Sequence, residues 1–402
     1  MSDNLNSTGF LLKNLMENMT DNIYFKDTQS RFIMVNKAFC DWTGLSPDHV
    51  IGQTDFDLFA SAHAQQAFDD EQRIVASGKP MIGIEEKETW PDGRVTWVST
   101  TKMPLKSSDG ETIGTFGVSR DITDHKEAEL QAARYAEQIR CIKERMEEDV
   151  RMAAELQKTF FPRTYPVFPE GAPPEESVVH FLHYYHPSGM VSGDFCTIRR
   201  LSATESGIFL CDVMGHGVRA ALGTALICAM VEEVSSQEKD PGGFLGRMNE
   251  LLLPILRQED TFLYATACYM VFDAATGQLR LANAGHPVPL HFQAAEKTAD
   301  WLFGDDTLRG PALAIAEGAV FETAEKTLLP GDAVVLYTDG LYEAENDAGE
   351  EFGEARLLAA AQRLAGERLE DVFPTLADET ARFAALNDDI CLVGLRYKRP
   401  MA

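Results

Sequence analysis

The chain has 402 residues, enough for roughly two to three domains, and is 45% hydrophobic and 25% charged, which excludes wholesale disorder. Lys plus Arg number 36 against 63 Asp plus Glu, and the resulting formal charge of −27 excludes a protein built to coat nucleic acid or anionic lipid. The longest uncharged apolar run, Ala220 to Val231, has twelve residues, too short for a bilayer, and reads as a buried helix, so no membrane partner is expected.

Met1-Ser2-Asp3-Asn4-Leu5-Asn6 opens a tail (residues 1–8) without the basic-then-apolar pattern of a secretory leader. Seven cysteines (Cys40, Cys141, Cys196, Cys211, Cys228, Cys268, Cys391) are scattered and form no Cys-x-x-Cys. That pattern suits reduced thiols in a cytoplasmic protein better than a disulfide framework or a zinc clasp. Residues 9–124 have a mixed α/β texture. Asp92-Gly93 and Asp109-Gly110 each sit between strand-like runs, so Glu85–Trp90 is expected to pair with Arg94–Thr101, and Met103–Lys106 with Thr112–Val118.

Residues 125–160 contain no Gly and no Pro before Pro162, and Ala128, Ala132, Tyr135, Ile139, Ile142 and Met146 recur at steps of 4, 3, 4, 3 and 4. This is the seam of a coiled coil, and it predicts a parallel homodimer; a single amphipathic helix lying on a neighbouring domain is the simpler alternative. Val150 and Ala153 then shift the register, as at a stutter. Asp124, with Glu127 three residues on, marks the helix start. Five prolines between Pro162 and Pro174 make residues 161–176 a linker.

Residues 177–398 alternate strand and helix. Gly207–Cys211, Tyr264–Phe272, Gln278–Ala282, Ala333–Thr338 and Ile390–Arg396 read as strands, and Ala220–Ser235, Phe244–Leu256 and Glu354–Ala365 as helices. Acids recur at the ends of these strands. Asp212 follows Ile208-Phe209-Leu210-Cys211, Asp339-Gly340 follows Ala333–Thr338, Asp194 follows Gly193, and Asp388-Asp389 precedes Ile390. Carboxylates against apolar walls are costly unless solvated, paired or bound to cations. Their convergence would suit two hard divalent ions, Mn²⁺ or Mg²⁺, able to activate water against a phosphomonoester without a Ser or Cys nucleophile.

Ser192-Gly193-Asp194-Phe195, Asp212-Val213-Met214-Gly215-His216-Gly217, Asn283-Ala284-Gly285-His286-Pro287, Tyr337-Thr338-Asp339-Gly340 with Glu343-Ala344, and Asp388-Asp389-Ile390 occur in this order. Together they resemble the sporulation and stress-sigma-regulator branch of protein phosphatase 2C-like serine/threonine phosphatases. The resemblance implies an α-β-β-α sandwich of two antiparallel sheets flanked by helices. It makes Asp212 the carboxylate shared by both ions, Val213 a ligand through its carbonyl, Asp339 and Asp388 ligands of one ion, and Asp194 a holder of the other. Asp212 and Asp339 become the residues on which catalysis turns. The implied substrate is a phosphorylated anti-sigma-factor antagonist or similar regulatory domain in bacterial partner switching. Ser192, Cys391 and Met214 stand where relatives commonly carry Gly, Thr and (in eukaryotic members) His, so no acid role is carried to His216, and His216 and His286 are expected to be structural. The alternative of another class is a non-catalytic signalling scaffold that keeps this fold.

Asn22–Asp27, Arg31–Phe39, Gly44, Ile51-Gly52 and the exit Gly117–Thr123 resemble a PAS sensor domain, which implies a five-stranded antiparallel sheet around a small cavity. No cofactor is assigned there: the surroundings of Cys40 lack the flavin-photosensor motif, and His49 and His63 are not read as haem ligands. His180, His183 and His186 cannot form one metal site on a strand, because His183 points away from the other two. The whole is an α+β multidomain chain in which a PAS signal is expected to act through the helix on the catalytic domain.

Overall fold

A computed structural model describes residues 7–258, 261–304 and 309–401, which divide near Ile142 into two compact units. In the first, β1 (Asn22–Asp27), β2 (Phe32–Val35), β3 (Met81–Thr89), β4 (Val95–Lys106) and β5 (Thr112–Asp121) form an antiparallel sheet in the order β2-β1-β5-β4-β3. Both Asp-Gly hairpins are present. Thr89 lies opposite Val95 and Lys106 opposite Thr112, so β4 is a single long strand shared by the two hairpins. Alternate residues of β4 (Thr96, Val98, Thr100 and Lys102) face inward, and most of them are polar. Helices α1 (Thr8–Asn18), α2 (Lys37–Thr43), α3 (Pro47–Val50), α4 (Asp55–Leu58) and α5 (Ser61–Ser77) complete the unit. Asn36 caps α2 by accepting the Phe39 N–H. The core is largely aromatic: Tyr24, Phe32, Phe39, Phe59 and Trp90, with Val50 and Leu58.

Helix α6 (Thr123–Gln157) follows β5. The Thr123 N–H donates to Asp121 Oδ1 at 2.8 Å, so the local acceptor at the helix start is Asp121 where the sequence pointed to Asp124. Leu130, Tyr135, Ile139, Ile142, Met146, Met152 and Leu156 are each more than half exposed, and Gln157 is the one residue of α6 that is buried. The seam residues therefore do not lie on a core of this chain.

In the second unit the prolines of residues 161–176 break helical structure apart from one short turn at Pro174–Glu176, yet the segment is no free tether. Phe161 and Phe168 are buried in the hydrophobic core of this unit. Strands β6 (Val179–His186), β7 (Asp194–Arg200) and β8 (Glu205–Val213) lead into α7 (Val218–Gln237) and α8 (Pro241–Leu256). A short ribbon, β9 (Arg257–Gln258) with β10 (Thr261–Phe262), precedes β11 (Ala265–Asp273), β12 (Gln278–Ala284), β13 (Leu290–Gln293), β14 (Thr298–Trp301), β15 (Arg309–Gly310), β16 (Ala324–Thr327) and β17 (Ala333–Tyr337). After these come α9 (Gly353–Arg363), α10 (Leu369–Phe383) and β18 (Ile390–Tyr397).

One sheet runs β15-β12-β11-β8-β7 with β16 added to β12; the other runs β14-β13-β17-β18-β6. Pairing is antiparallel except for the two-residue contact of β12 with β15. Ile198, Ile208, Met270, Leu336 and Val393 belong to the core between the sheets. Helices α7 and α8 bury Ile227, Val231, Phe244 and Leu252 against the first sheet, while α9 and α10 bury Leu357, Val372 and Phe373 against the second. This is the expected α-β-β-α sandwich. On β6, His183 Nδ1 contacts the Tyr165 hydroxyl at 2.8 Å, while His180 Nε2 lies 3.6 Å from Glu370 on α10. Among the described residues no helix is long and apolar enough to cross a membrane.

Candidate active site

The acids gather where the two sheets meet. In the β7–β8 ladder Asp194 and Asp212 are directly opposite, one at the start of its strand and the other near the end of its own. Gly193 is required here by close approach. A Cβ on it would lie 2.7 Å from the Val213 carbonyl oxygen and 2.9 Å from Asp212 Oδ1, so these two oxygens converge on one point. Gly215 and Gly217, at φ +85° and +80°, then turn the chain into α7.

The second sheet brings Asp339 and Asp388. Strand β17 ends at Tyr337 opposite Leu392 of β18, so the residues after β17 lie beside those before β18. Gly340 seals that junction: a Cβ there would stand 2.1 Å from the Asp389 carbonyl oxygen. Thr338 ties the two sheets together. Its hydroxyl donates to Asp194 Oδ2 at 2.8 Å and accepts the Cys391 N–H at 2.9 Å.

Asp389 is occupied otherwise. Its Oδ1 accepts from the Ser188 N–H at 2.7 Å and the Ser188 hydroxyl at 3.0 Å, and its Oδ2 accepts the Gly193 N–H at 3.0 Å. It clamps the Gly193 loop with both oxygens, whereas Asp388, among the described residues, accepts only the Asp389 N–H, at 2.8 Å on Oδ1. His286 is buried in a turn: its N–H donates to Asn283 Oδ1 at 2.7 Å, and its Nδ1 lies 2.9 Å from the Thr266 hydroxyl. His216 is exposed.

The electrostatics are those of crowded like charges. Burial, then the charges of Asp339 and Asp388, pushes Asp212 up to about 8. Burial, then Glu343 and Asp388, pushes Asp339 up to about 6. Asp194 is raised well above the carboxylate range by burial and by Asp212, and Asp388 is raised chiefly by burial. None of the four forms an ion pair with Lys or Arg among the described residues. No three His, Cys, Asp or Glu side chains among the described residues close as a ready-made cage. The donor set is nonetheless all oxygen, it includes a backbone carbonyl, and its negative charge lacks a protein cation. Such a set fits hard divalent ions that keep part of their water.

Ions bound here would have to displace the protons that these carboxyls hold. Metal affinity is therefore expected to rise with pH through the interval from about 6 to about 8 set by Asp339 and Asp212. The gap in melting temperature between manganese-loaded and chelated protein should widen over that interval. A gap that stays constant or narrows would count against these residues as ligands.

Two residues that the sequence did not assign to the site hold it. Thr338 is one. Gln157, at the end of α6, is the other: its Nε2 donates to the Ser192 carbonyl at 2.7 Å and the Thr224 hydroxyl at 3.0 Å, and its Oε1 accepts the Ser192 N–H at 3.0 Å. The Ser192 hydroxyl in turn accepts the Asp194 N–H at 2.9 Å. Thr338 was visible as the neighbour of a strand-end Asp; nothing in the helix pattern singled out Gln157.

Comparison with known proteins agrees with this architecture. Residues 202–398 match the family described as Stage II sporulation protein E (SpoIIE), and residues 16–127 match the PAS fold. The chain is 27% identical to the phosphoserine phosphatase RsbP of Bacillus subtilis (strain 168) over 161 residues, 40% of this chain and 39% of that protein. It is 22% identical to the phosphoserine phosphatase RsbU of the same organism over 267 residues, 65% of this chain and 73% of that protein. The chain thus spans about two fifths of the first relative and about three quarters of the second. Among solved structures, the SiaA-PP2C domain of Pseudomonas aeruginosa shares the fold, at 23% identity and a TM-score of 0.53, over 64% of this chain and 99% of that one.

Proposed function

We propose that this chain, a PAS fold joined by a long helix to a SpoIIE-type protein phosphatase 2C-like domain, is a metal-dependent phosphoserine/phosphothreonine protein phosphatase. The observation that carries the reading is the convergence of Asp194, Asp212, the Val213 carbonyl, Asp339 and Asp388 without a balancing protein cation. When bound, two divalent ions (Mn²⁺ or Mg²⁺) supply Lewis acidity that activates water and neutralises phosphoryl oxygens. Asp212 would be the ligand shared by both ions, Asp339 and Asp388 would hold one of them, and Asp194, steadied by Thr338 and Ser192, would hold the other. Cys211 beside the site is no nucleophile, because burial pushes its thiol well above the usual range.

The substrate class is a phosphorylated regulatory domain of the anti-sigma-factor-antagonist kind, supported by the likeness to two phosphoserine phosphatases, and the setting is the cytoplasm. Manganese-dependent hydrolysis of p-nitrophenyl phosphate tests the reading: Asp339→Ala is expected to reduce the rate by about a hundredfold or more. Equal rates in the two proteins would leave a non-catalytic scaffold as the function.

The exposed seam of α6 supports a parallel coiled-coil homodimer, since apolar side chains at heptad spacing are stable in water only when a second helix covers them. The double substitution Ile139→Glu with Ile142→Glu should convert a dimer to a monomer in sedimentation analysis. A wild-type chain that sediments as a monomer would exclude the coiled coil.

A further inference from the structure

The PAS unit encloses a cavity between the inner face of its sheet and helices α2, α4 and α5. Its walls are aromatic: Tyr24, Phe32, Phe39, Trp42 and Phe59 line it, and Trp90 backs Phe59 with ring centres 4.9 Å apart. Its polar lining sets four acids beside Asn22, His63, Ser119 and Lys102. Asp55, Glu71, Glu86 and Glu88 face it, with Lys102 as the one ammonium in the lining.

The buried charges of this unit do not balance. Asp21, Asp55, Asp70, Glu71, Glu86 and Glu88 are all buried, against Lys26 and Lys102, which leaves four carboxyls in excess (6 − 2), two of them met from the surface by Arg120 on Asp21 and Arg73 on Asp70. Lys26 is taken up by Asp55 and by Glu71 Oε1, the latter at 2.6 Å. Lys102 is taken up by Glu86 at 2.9 Å, with Asp70 at 3.8 Å. Glu88 meets neutral donors alone: its Oε2 accepts from the Thr96 hydroxyl at 2.8 Å and from the Trp42 indole N–H at 3.2 Å. Glu71, 1% exposed, has an Oε2 that accepts no hydrogen bond. An interior of this kind requires positive charge, from protons or from a ligand.

We propose that this cavity binds a small protonated amine, its ammonium group held by the carboxylates of Glu88 and Glu71 and its carbon skeleton packed between Trp42 and Phe59. An ammonium supplies several donors where acceptors are in surplus, and aromatic faces attract it further. An anion would be repelled. A hard metal ion is disfavoured because much of the wall is aromatic and offers no oxygen donor. The free volume of about 30 Å³ admits about two or three non-hydrogen atoms, the size of methylammonium or ethylammonium. The inference rests on the PAS unit and is independent of the phosphatase reading.

Calorimetric titration of the full chain at about pH 7 with methylammonium and ethylammonium chloride is the test, with sodium chloride and ethanol as the charge and shape controls. Tryptophan fluorescence gives a second readout, since Trp42 lines the cavity. Saturable binding is expected for the amines alone, accompanied by a fluorescence change. Glu88→Gln should weaken that binding by about tenfold or more. The wild-type comparison decides even where a variant fails to fold: an amine response no different from that to sodium or ethanol overturns the proposal and assigns the excess carboxyls to protons. Undiminished binding in a folded Glu88→Gln chain overturns it as well.

Discussion

Replacing Asp212 by Asn is expected to cut manganese-dependent phosphatase activity by about 10³-fold, ~4 kcal/mol of transition-state stabilisation, while raising the melting temperature of the chelated chain. The two effects have one cause. Asp212 is half-buried opposite Asp194 and within the fields of Asp339 and Asp388, so without ions its charge is opposed by both desolvation and repulsion. A carboxyl whose pKa is raised by folding binds more protons in the native state than in the unfolded chain. Its ionisation therefore lowers stability progressively as pH rises from about 4 toward about 8, and Asn, of equal shape and no charge, removes that loss. Asp389→Asn supplies the contrast. That carboxylate accepts three hydrogen bonds from Ser188 and Gly193, so an amide should destabilise the fold by ~1–3 kcal/mol with or without manganese. If Asp212→Asn lowered the chelated melting temperature and spared activity, Asp212 would be a structural clamp of the Asp389 kind.

The contrast between these two acids shows how far the sequence carries. Strand ends beside Asp and Gly were legible because burial and turn chemistry are local: β8, β17 and β18 fall where alternating or continuous apolar runs place them, and their acids follow. Asp388 and Asp389 are adjacent in the chain, and only packing against the Gly193 loop decides which one has both oxygens taken up by hydrogen bonds. Helix α10 was obscured by Pro374, which sits inside it while Val372, Phe373 and Leu376 supply the buried face. The run of prolines at residues 161–176 forbids regular helix but says nothing of whether Phe161 and Phe168 are buried between sheets. Long-range side-chain contacts leave no periodic trace, and Gln157 is the clearest case.

Gln157→Ala is expected to raise the manganese concentration needed for half-maximal activity by roughly 10–100-fold, the usual cost of removing a group that orients metal ligands. Gln157 grips both backbone polar groups of Ser192 with one amide, as a neighbouring strand would, and reaches the Thr224 hydroxyl on α7 with the same nitrogen. Ser192 is joined to Gly193 and Asp194, so the last residue of α6 fixes the loop on which one acid and the Asp212–Val213 cradle depend. The helix that leaves the PAS sheet after Asp121 therefore ends in a contact whose loss would act on ion binding before it acts on the chemistry. A register change at the stutter near Val150 would be felt at this amide first. Saturating manganese should restore much of the rate of Gln157→Ala, whereas Gln157→Glu, which turns a donor toward the Ser192 carbonyl into an acceptor and adds charge near Asp194, should resist that rescue. A folded Gln157→Ala chain with wild-type manganese dependence would reduce this contact to packing and leave the helix without a handle on the acids.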